Sequence, residues 1–557
     1  MKKILLILIC FLLISCSSDS KQEKDLEKLD WSGYEELISL IIEEKDPFIR
    51  EGYLHKAEDM LIDSYAAIPL YYTPDRYLLK KDIKGVYMDD LSNVYYSYMY
   101  RENGDYDTPI TISVCTDPTN LDPQLALLSN TYQLWTPIGS TLYKPDENGE
   151  YVPELAYRYE ISDDGLVYRF YLRDNLKWSD GEDMSADDFV YSFKRAAYSS
   201  NALEASELLN CIKGYPDDLQ VRSLDNGKVF EVELAKPCVY FISIVANVPF
   251  TPLRQDIIES APGYMDENGN VINPSAWGSE GPIVTSGAYY LDSWKHNESI
   301  TLKKNPYYYD ADNVKTKTIQ LLLNNDDTIL YSAYSSGDIS LLLDKIPGDI
   351  MDTLYDNEEF HSCLSLGTTY MSINIKADFF RGMSAEDAKT FRKAMAYCID
   401  RRFITQILSL PEEFIATTLI PKGAQDGTGK RFGEYNYPYE TGYYPVDVDY
   451  DVARELLKSI GYEFDENGKL TNPVNFDYQT NAGATNEAVA TCIQADLAQI
   501  GINVSIKTSD ANVFYSDKKA GNYDLARGGW NFDYNDPLST LNTFTTASNN
   551  NYSQLGK

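Results

Sequence analysis

The residues best suited to chemistry lie near the end of the 557-residue chain, in the run DLARGGWNFDYNDP at positions 524–537. It reads as a short strand, a glycine pair at Gly528 and Gly529, and then a turn that sets an acid among aromatic rings. Glycine lets a second backbone or a ligand approach closely. Trp530, Phe532 and Tyr534 can wall off a cleft, which would put Asp533 where water is scarce. A carboxylate so placed holds a cation firmly, because charge-assisted hydrogen bonds strengthen as water leaves. The same residues also support a plainer reading, an Asx-turn ahead of Pro537 with Trp530 in the core.

Catalytic chemistry finds little support. The three histidines, His55, His296 and His361, fall in no triad or zinc-binding spacing, and neither G-x-S-x-G nor H-E-x-x-H occurs. The run GAQDGTGKR at 423–431 has the wrong glycine spacing for a phosphate loop and puts Arg431 where a hydroxyl is needed. Three copies of DENG, at Asp146, Asp266 and Asp465, lack the further acids and closing glutamate of a calcium loop and read as hairpin turns. No catalytic residue, metal or cofactor is expected. The formal charge of −36 argues against nucleic acid and against lying on anionic lipid.

A pattern R-x-G-W-x-x-D-Y-x-x-P, carried by Arg527, Gly529, Trp530, Asp533, Tyr534 and Pro537, resembles the binding strand and turn of extracellular solute-binding proteins of the oligopeptide-binding family. The resemblance implies that Asp533 receives a peptide's α-ammonium, that Arg527 helps receive the carboxylate, and that the backbone at Gly529 and Asn531 pairs with the peptide main chain. The family often has a disulfide-bonded cysteine where Asn531 stands. The densest resemblance runs from Pro153 to Arg195, through ISDDG at 161–165, WSDG at 178–181 and ADDF at 186–189. Those residues read as hairpins followed by a helix capped by Ser185, with Phe189, Phe193 and Ala196 on its apolar face, and they are scaffold.

The order of segments departs from the family. Helical patterns at 34–42 and from Pro47 to about Ser64, strand-like Ala67 to Tyr72 and Tyr77 to Leu79, and a strand predicted from Val94 to Tyr100 are similar to the family's carboxyl-terminal tail, yet they come first. The family's opening strand begins only at Ile110. The chain order is that of a circular permutation, with a joint at 102–108, or of a fusion between tandem paralogues. Surface termini that lie close together can be joined in this way.

At the start, Lys2 and Lys3 precede an apolar run too short to span a bilayer, and the run ends in LISC at 13–16, which resembles a lipoprotein lipobox. On that reading Cys16 is lipidated; the alternative is an ordinary signal peptide with an incidental cysteine. Cys398 and Cys492 fall in helical patterns and read as buried free thiols, whereas Cys115, Cys211, Cys238 and Cys363 leave a disulfide open without fixing its pairing.

The expected fold is α/β, a periplasmic-binding-protein type II fold of two lobes with an extra domain, circularly permuted in chain order. Residues 1–15 are expected as signal, 16–30 as tether, 31–74 as displaced second-lobe helices and 75–130 as first-lobe strands with the joint. The extra domain is expected at 131–250, the rest of the first lobe at 251–320 and the second lobe at 321–557. A single helix is expected from about Ala385 to Leu408. Asp117, Thr119, Tyr370 and Asn374 are expected to edge the cleft, within the stretches 115–119 and 370–374. The function implied is capture of short peptides outside the cell by a lipid-anchored monomer that serves an ABC permease. The alternatives are an oligosaccharide or other solute binder of the same superfamily, or a peptide sensor or adhesin without transport.

Overall fold

Two long antiparallel strands run through the middle of the molecule, β1 (Ala67–Leu79) and, far along the chain, the segment Phe360–Ile373. In this computed structural model residues 29–557 are described, apart from 115–116, 126–128, 202, 281–282, 344–345 and 435–442. The lipobox at Cys16 and the possible disulfide partner Cys115 therefore lie outside the described residues. The sequence suggested two short strands where β1 is one. Pro69 and Pro74 do not end it, because the pairing slips at Pro69/Tyr71 and again at Tyr72/Pro74. Bulges of this kind let a strand pass residues that cannot donate to the ladder.

The other strands of the described chain, in order, are β2 (Ile110–Val114), β3 (Ala156–Ile161), β4 (Val167–Leu172), β5 (Val221–Leu224), β6 (Val229–Glu233), β7 (Tyr289–Lys295), β8 (Ser299–Lys304), β9 (Thr318–Leu323), β10 (Leu341–Leu343), β11 (Phe360–Ile373), β12 (Val474–Asn481), β13 (Ile502–Ser509) and β14 (Leu525–Asn531), besides short two-stranded pieces. Ten of them form one mixed sheet in the order β7-β8-β9-β2-β10-β1-β11-β14-β12-β13. Strands β3 to β6 make a separate four-stranded antiparallel sheet.

Apolar burial falls into separate cores. One core gathers Trp31 to Tyr71 with Leu366 to Leu555 and holds Phe391, Met395, Tyr478 and Ile493. A second gathers Tyr77 to Ile138 with Val248 to Leu343, around Trp135, Trp277 and Tyr289. A third, from Leu142 to Phe250, packs the four-stranded sheet on Phe189 and Phe193. Leu134, Trp135 and Ile138 thus belong to the first lobe rather than to the extra domain, and β10 extends that lobe beyond 320. Strand β1 joins two of these cores: Ala67 to Tyr71 lie in one, Tyr77 and Leu79 in the other.

Local signals account for many elements. Pro47 starts α2 (Pro47–Asp63), which follows α1 (Ser32–Glu43), and the Asp46 carboxylate accepts from the Phe48 and Ile49 amides. Ser185 and Asp188 form a reciprocal capping box at the start of α3 (Ala186–Ala197). The expected single helix at 385–408 is two, α4 (Ala385–Tyr397) and α5 (Arg401–Ile407), because Asp400 caps a new start by accepting from the Phe403 amide. The strand expected at 94–100 is also broken: only Val94–Tyr95 and Tyr100–Arg101 pair. Between them Tyr96 and Ser97 donate their hydroxyls to the Gln133 and Thr136 carbonyls. The three DENG segments are turns, with Asp146, Asp266 and Asp465 each accepting from amides two and four residues on. Cys398 and Cys492 are buried free thiols.

Candidate functional site

Strand β14 carries the site because its two edges differ. Along one edge Leu525 to Asn531 pair continuously with Ile373 to Gly367 of β11. Along the other, β12 pairs only at Leu525 and Ala526, so no strand covers Arg527 to Asn531 there among the described residues. A cavity of about 610 Å³ lies beside this stretch and is lined by Arg527, Gly529, Trp530 and Asn531 together with Thr73, Asn486 and Lys518. An uncovered strand edge facing a cavity offers backbone donors and acceptors to an extended ligand.

The two glycines do different work. A Cβ on Gly528 would stand 2.3 Å from the Tyr370 ring, so this glycine seats Tyr370, which is 2 % exposed. A Cβ on Gly529 would meet nothing nearer than the Thr368 carbonyl at 3.7 Å. Gly529 keeps the cavity floor low; Gly528 serves the core behind it.

Beyond the strand the chain turns, and the turn is held from several sides. The Asp533 amide donates to Ser539 Oγ at 2.9 Å, and Asn247 of the extra domain donates to the Asp533 carbonyl at 3.3 Å. Tyr534 stacks on Tyr240 with centroids 4.2 Å apart and planes 10° apart. Asn535 donates from its amide to Ser243 Oγ and from its side chain to Asp90. Asp536 takes both guanidinium arms of Arg50 and also accepts from the Leu538 amide. The Asx-turn reading therefore belongs to Asp536, and Trp530 is half-buried at the cavity, not core.

Asp533 is left with its carboxylate uncommitted: among the described residues it makes no ion pair and accepts no side-chain hydrogen bond. Burial, reinforced by the nearby Glu207 carboxylate, raises its pKa to about 6. An acid in that setting gains a great deal from a cation brought by a ligand. Arg527 shows the complementary condition. Its guanidinium reaches Asn481 Oδ1 at 3.4 Å, and its Nε is buried without an acceptor.

Arg527, Gly529, Trp530 and Asn531 line the cavity from one strand, while Asp533 and Tyr534 stand on the turn after it and are not among the lining residues. The other four candidates stand elsewhere. The Asp117 carboxylate is taken by Trp294 Nε1 at 2.7 Å, His296 Nδ1 at 2.9 Å and the Asn297 amide, so it braces the β7–β8 hairpin. Thr119 is exposed elsewhere. Tyr370 lies behind Gly528, and Asn374 spends its side-chain amide on the Gly521 and Tyr523 carbonyls. None of the four lines the cavity. Sequence reasoning passed over Lys518, which does line it.

A mixed α/β fold in which a strand edge lies open beside a cavity is suited to holding a solute. The sequence pattern described as bacterial extracellular solute-binding proteins, family 5 Middle, matches residues 150–552, and the chain belongs to that family. It is 26 % identical over 445 residues to the dipeptide-binding protein DppE of Bacillus subtilis, covering 78 % of this chain and 76 % of that protein. It is 27 % identical over 460 residues to the oligopeptide-binding protein OppA of the same organism, covering 80 % and 78 %. Among solved structures, a periplasmic oligopeptide-binding protein of Borrelia burgdorferi, OppAIV, superposes with a TM-score of 0.59 at 25 % identity, over 80 % of this chain and 83 % of that one. Among the described residues no helix is long and apolar enough to cross a membrane.

Proposed function

We propose that this protein captures short peptides in the cleft beside β14 and delivers them to an ABC permease, without catalysing a reaction on them. The observation that carries the reading is the open edge of Arg527 to Asn531, with the uncommitted Asp533 carboxylate past one end and the Arg527 guanidinium at the other. A peptide laid along that edge adds as a strand, its ammonium toward Asp533 and its carboxylate toward Arg527. Main chain and termini then supply most of the affinity. Closure of the two lobes about β1, the strand that joins their cores, would bury the ligand. The relatives named as dipeptide- and oligopeptide-binding proteins support the same reading.

The reading includes a monomer held outside the cytoplasm by lipid on Cys16, and a permuted chain order. Two features support the permutation. Strand β1, similar to a strand near the family's end, fills a central slot between β10 and β11. The helices before it pack on the last residues of the chain: Trp31 Nε1 donates to the Phe544 carbonyl, and the Tyr34 hydroxyl to that of Leu541.

Mass spectrometry of small molecules released by denaturing the purified protein tests the function. Peptides of two to several residues, near one per protein, are expected. Bound oligosaccharide, or failure of the ligand-free protein to bind any defined peptide, would overturn the proposal.

A further inference from the structure

Lys518 sits near the end of α8 (Ala511–Ala520), the helix that precedes β14; the helices between α5 and it are α6 (Tyr450–Ser459) and α7 (Ala484–Ala498). Although it is a lysine, it is only 1 % exposed. Its ammonium donates to the Arg527 carbonyl at 2.8 Å and lies 4.0 Å from the centroid of the Tyr552 ring, with Phe514 at 4.9 Å and Tyr515 at 5.6 Å. Aromatic faces accept a cation but do not neutralise it. Among the described residues no carboxylate pairs with Lys518 or with Arg527.

This is an expensive arrangement. Burial first, and then the positive charge of Arg527, lower the Lys518 pKa to about 7. A buried cation serving only to pack would be replaced by an apolar side chain without loss. Yet Lys518 lines the cavity, its ammonium has two protons beyond the one given to the Arg527 carbonyl, and Arg527 offers its orphaned Nε. In a chain with 85 acids against 49 bases, the charged residues lining this cavity among those described, Arg76, Lys518 and Arg527, are all cations. Arg76 stands apart, paired on β1 with Ser362, whereas Arg527 pairs with Met371 at the other end of β11.

A peptide's terminal carboxylate supplies one negative charge, whereas Lys518 and Arg527 bring two positive ones to the lining of the same cavity. We infer that Lys518 and Arg527 form a paired anion site, so that this cleft prefers peptides bearing an acidic side chain at or beside the carboxyl-terminal residue. The inference rests on the peptide reading of the same cleft and adds a substrate class to it. Lys518 acts as the specificity residue: it gives the second carboxylate two ammonium donors in a place that water hardly reaches, where a charge-assisted bond is strong.

Calorimetric titration of the ligand-free, full-length protein with tetrapeptides of equal length tests it: Ala-Ala-Ala-Ala, Ala-Ala-Ala-Glu, Ala-Ala-Glu-Ala and Ala-Ala-Ala-Lys, with inorganic phosphate as a separate arm. At least one glutamate peptide is expected to bind tenfold or more tightly than tetra-alanine, and the lysine peptide more weakly. In Lys518→Met the ratio of acidic to neutral affinity should fall below about threefold, a comparison made within one variant and so insensitive to a general loss of stability. Lys518→Arg should keep the preference. Equal affinity for the neutral and acidic peptides in the unaltered protein would overturn the inference while leaving peptide capture in place, and needs no variant to fold. Phosphate binding without a preference among peptides would do the same and assign the pair to a free anion. Absence of binding by every peptide would remove the parent reading and this one together.

Discussion

Arg50 and Asp536, 486 residues apart, form a two-pronged ion pair with both N–O distances at 2.8 Å, and both side chains are almost wholly buried. The pair ties α2 to the turn that carries Asp533. Arg50 also donates to the Ile41 carbonyl, so the joint between the first two helices is fastened at the same point. Removing one partner strands a buried charge. Arg50→Met should cost about 3–5 kcal/mol of stability, and replacing both partners with apolar residues of similar size should cost less than either single change. Urea unfolding of the single and double variants measures this; equal losses in the single and double variants would contradict it.

Asp533→Asn leaves the turn's backbone bonds to Ser539 and Asn247 intact and removes only the charge. Peptide affinity should fall by about 2–5 kcal/mol, the range for a buried charge pair deprived of one member, with the melting temperature changed little. The pH dependence has a definite sign. The free protein protonates Asp533 as pH falls through about 6, and a protonated acid no longer holds an ammonium. Affinity for a peptide without acidic side chains should decline as pH falls below about 6, and the decline should be missing in the asparagine variant. Titrations at pH 5, 6 and 7.5 suffice.

The two glycines of β14 separate folding from binding. Gly528→Ala drives a methyl into the Tyr370 ring and should destabilise the protein by about 1–3 kcal/mol, as overpacking does. Gly529→Ala meets no such obstacle and should fold normally. Its methyl raises the cavity floor against the ligand's main chain, so affinity should drop at least tenfold. Thermal melts paired with peptide titration would refute the distinction if the two variants behaved alike.

Lys518 and Glu58 predict opposite ends of the pH scale. Lys518 loses its charge as pH rises through about 7, so affinity for glutamate peptides should weaken from pH 7 to 9 while that for tetra-alanine changes less. The groups that bear on its charge are Arg527 and the rings of Phe514, Tyr515 and Tyr552, with no acid among the described residues. A pH-independent preference would count against its role.

Glu58 lies fully buried, accepts from the Ile420 amide through one oxygen, and leaves the other without a partner. Burial lifts its pKa to about 8. The folded state therefore holds a proton that the unfolded chain releases near pH 4.5, and stability contributed by this group falls as pH rises from about 4.5 to 8. Glu58→Gln should flatten that part of the stability profile. Denaturant midpoints measured across it decide the matter.

The sequence was most legible where a local rule sufficed. Ser185 with Asp188, Pro47 with Asp46, and the DENG turns specify their backbones from residues within a few positions. The strand and turn of the site could be read because all their functional groups are consecutive. What escaped depended on distant partners. Lys518, in the run SDKKAG, has the look of a solvated helix end; Tyr552, from a distant part of the chain, helps to cover it. Asp117 looked like a cleft acid until Trp294 and His296 claimed it. Tyr370 and Asn374 stand on or just after the correct strand, β11, but side-chain direction within a strand is set by which neighbour lies on each face, and Gly528 made room for Tyr370 behind the site.

The contacts between the first helices and the last residues also govern the timing of assembly. Trp31, Tyr34, Ile38 and Leu61 find their core with Leu541, Phe544 and Leu555, which a ribosome adds some five hundred residues later. Until then those early apolar side chains lack the last part of their core, and surface left waiting in this way is prone to aggregate. The extra domain, whose fully buried core residues among those described all lie within 142–250, can form soon after it emerges. The middle of this protein is therefore poised to fold before its beginning, and the binding strand, made late, completes the lobe that its opening helices have been waiting to join.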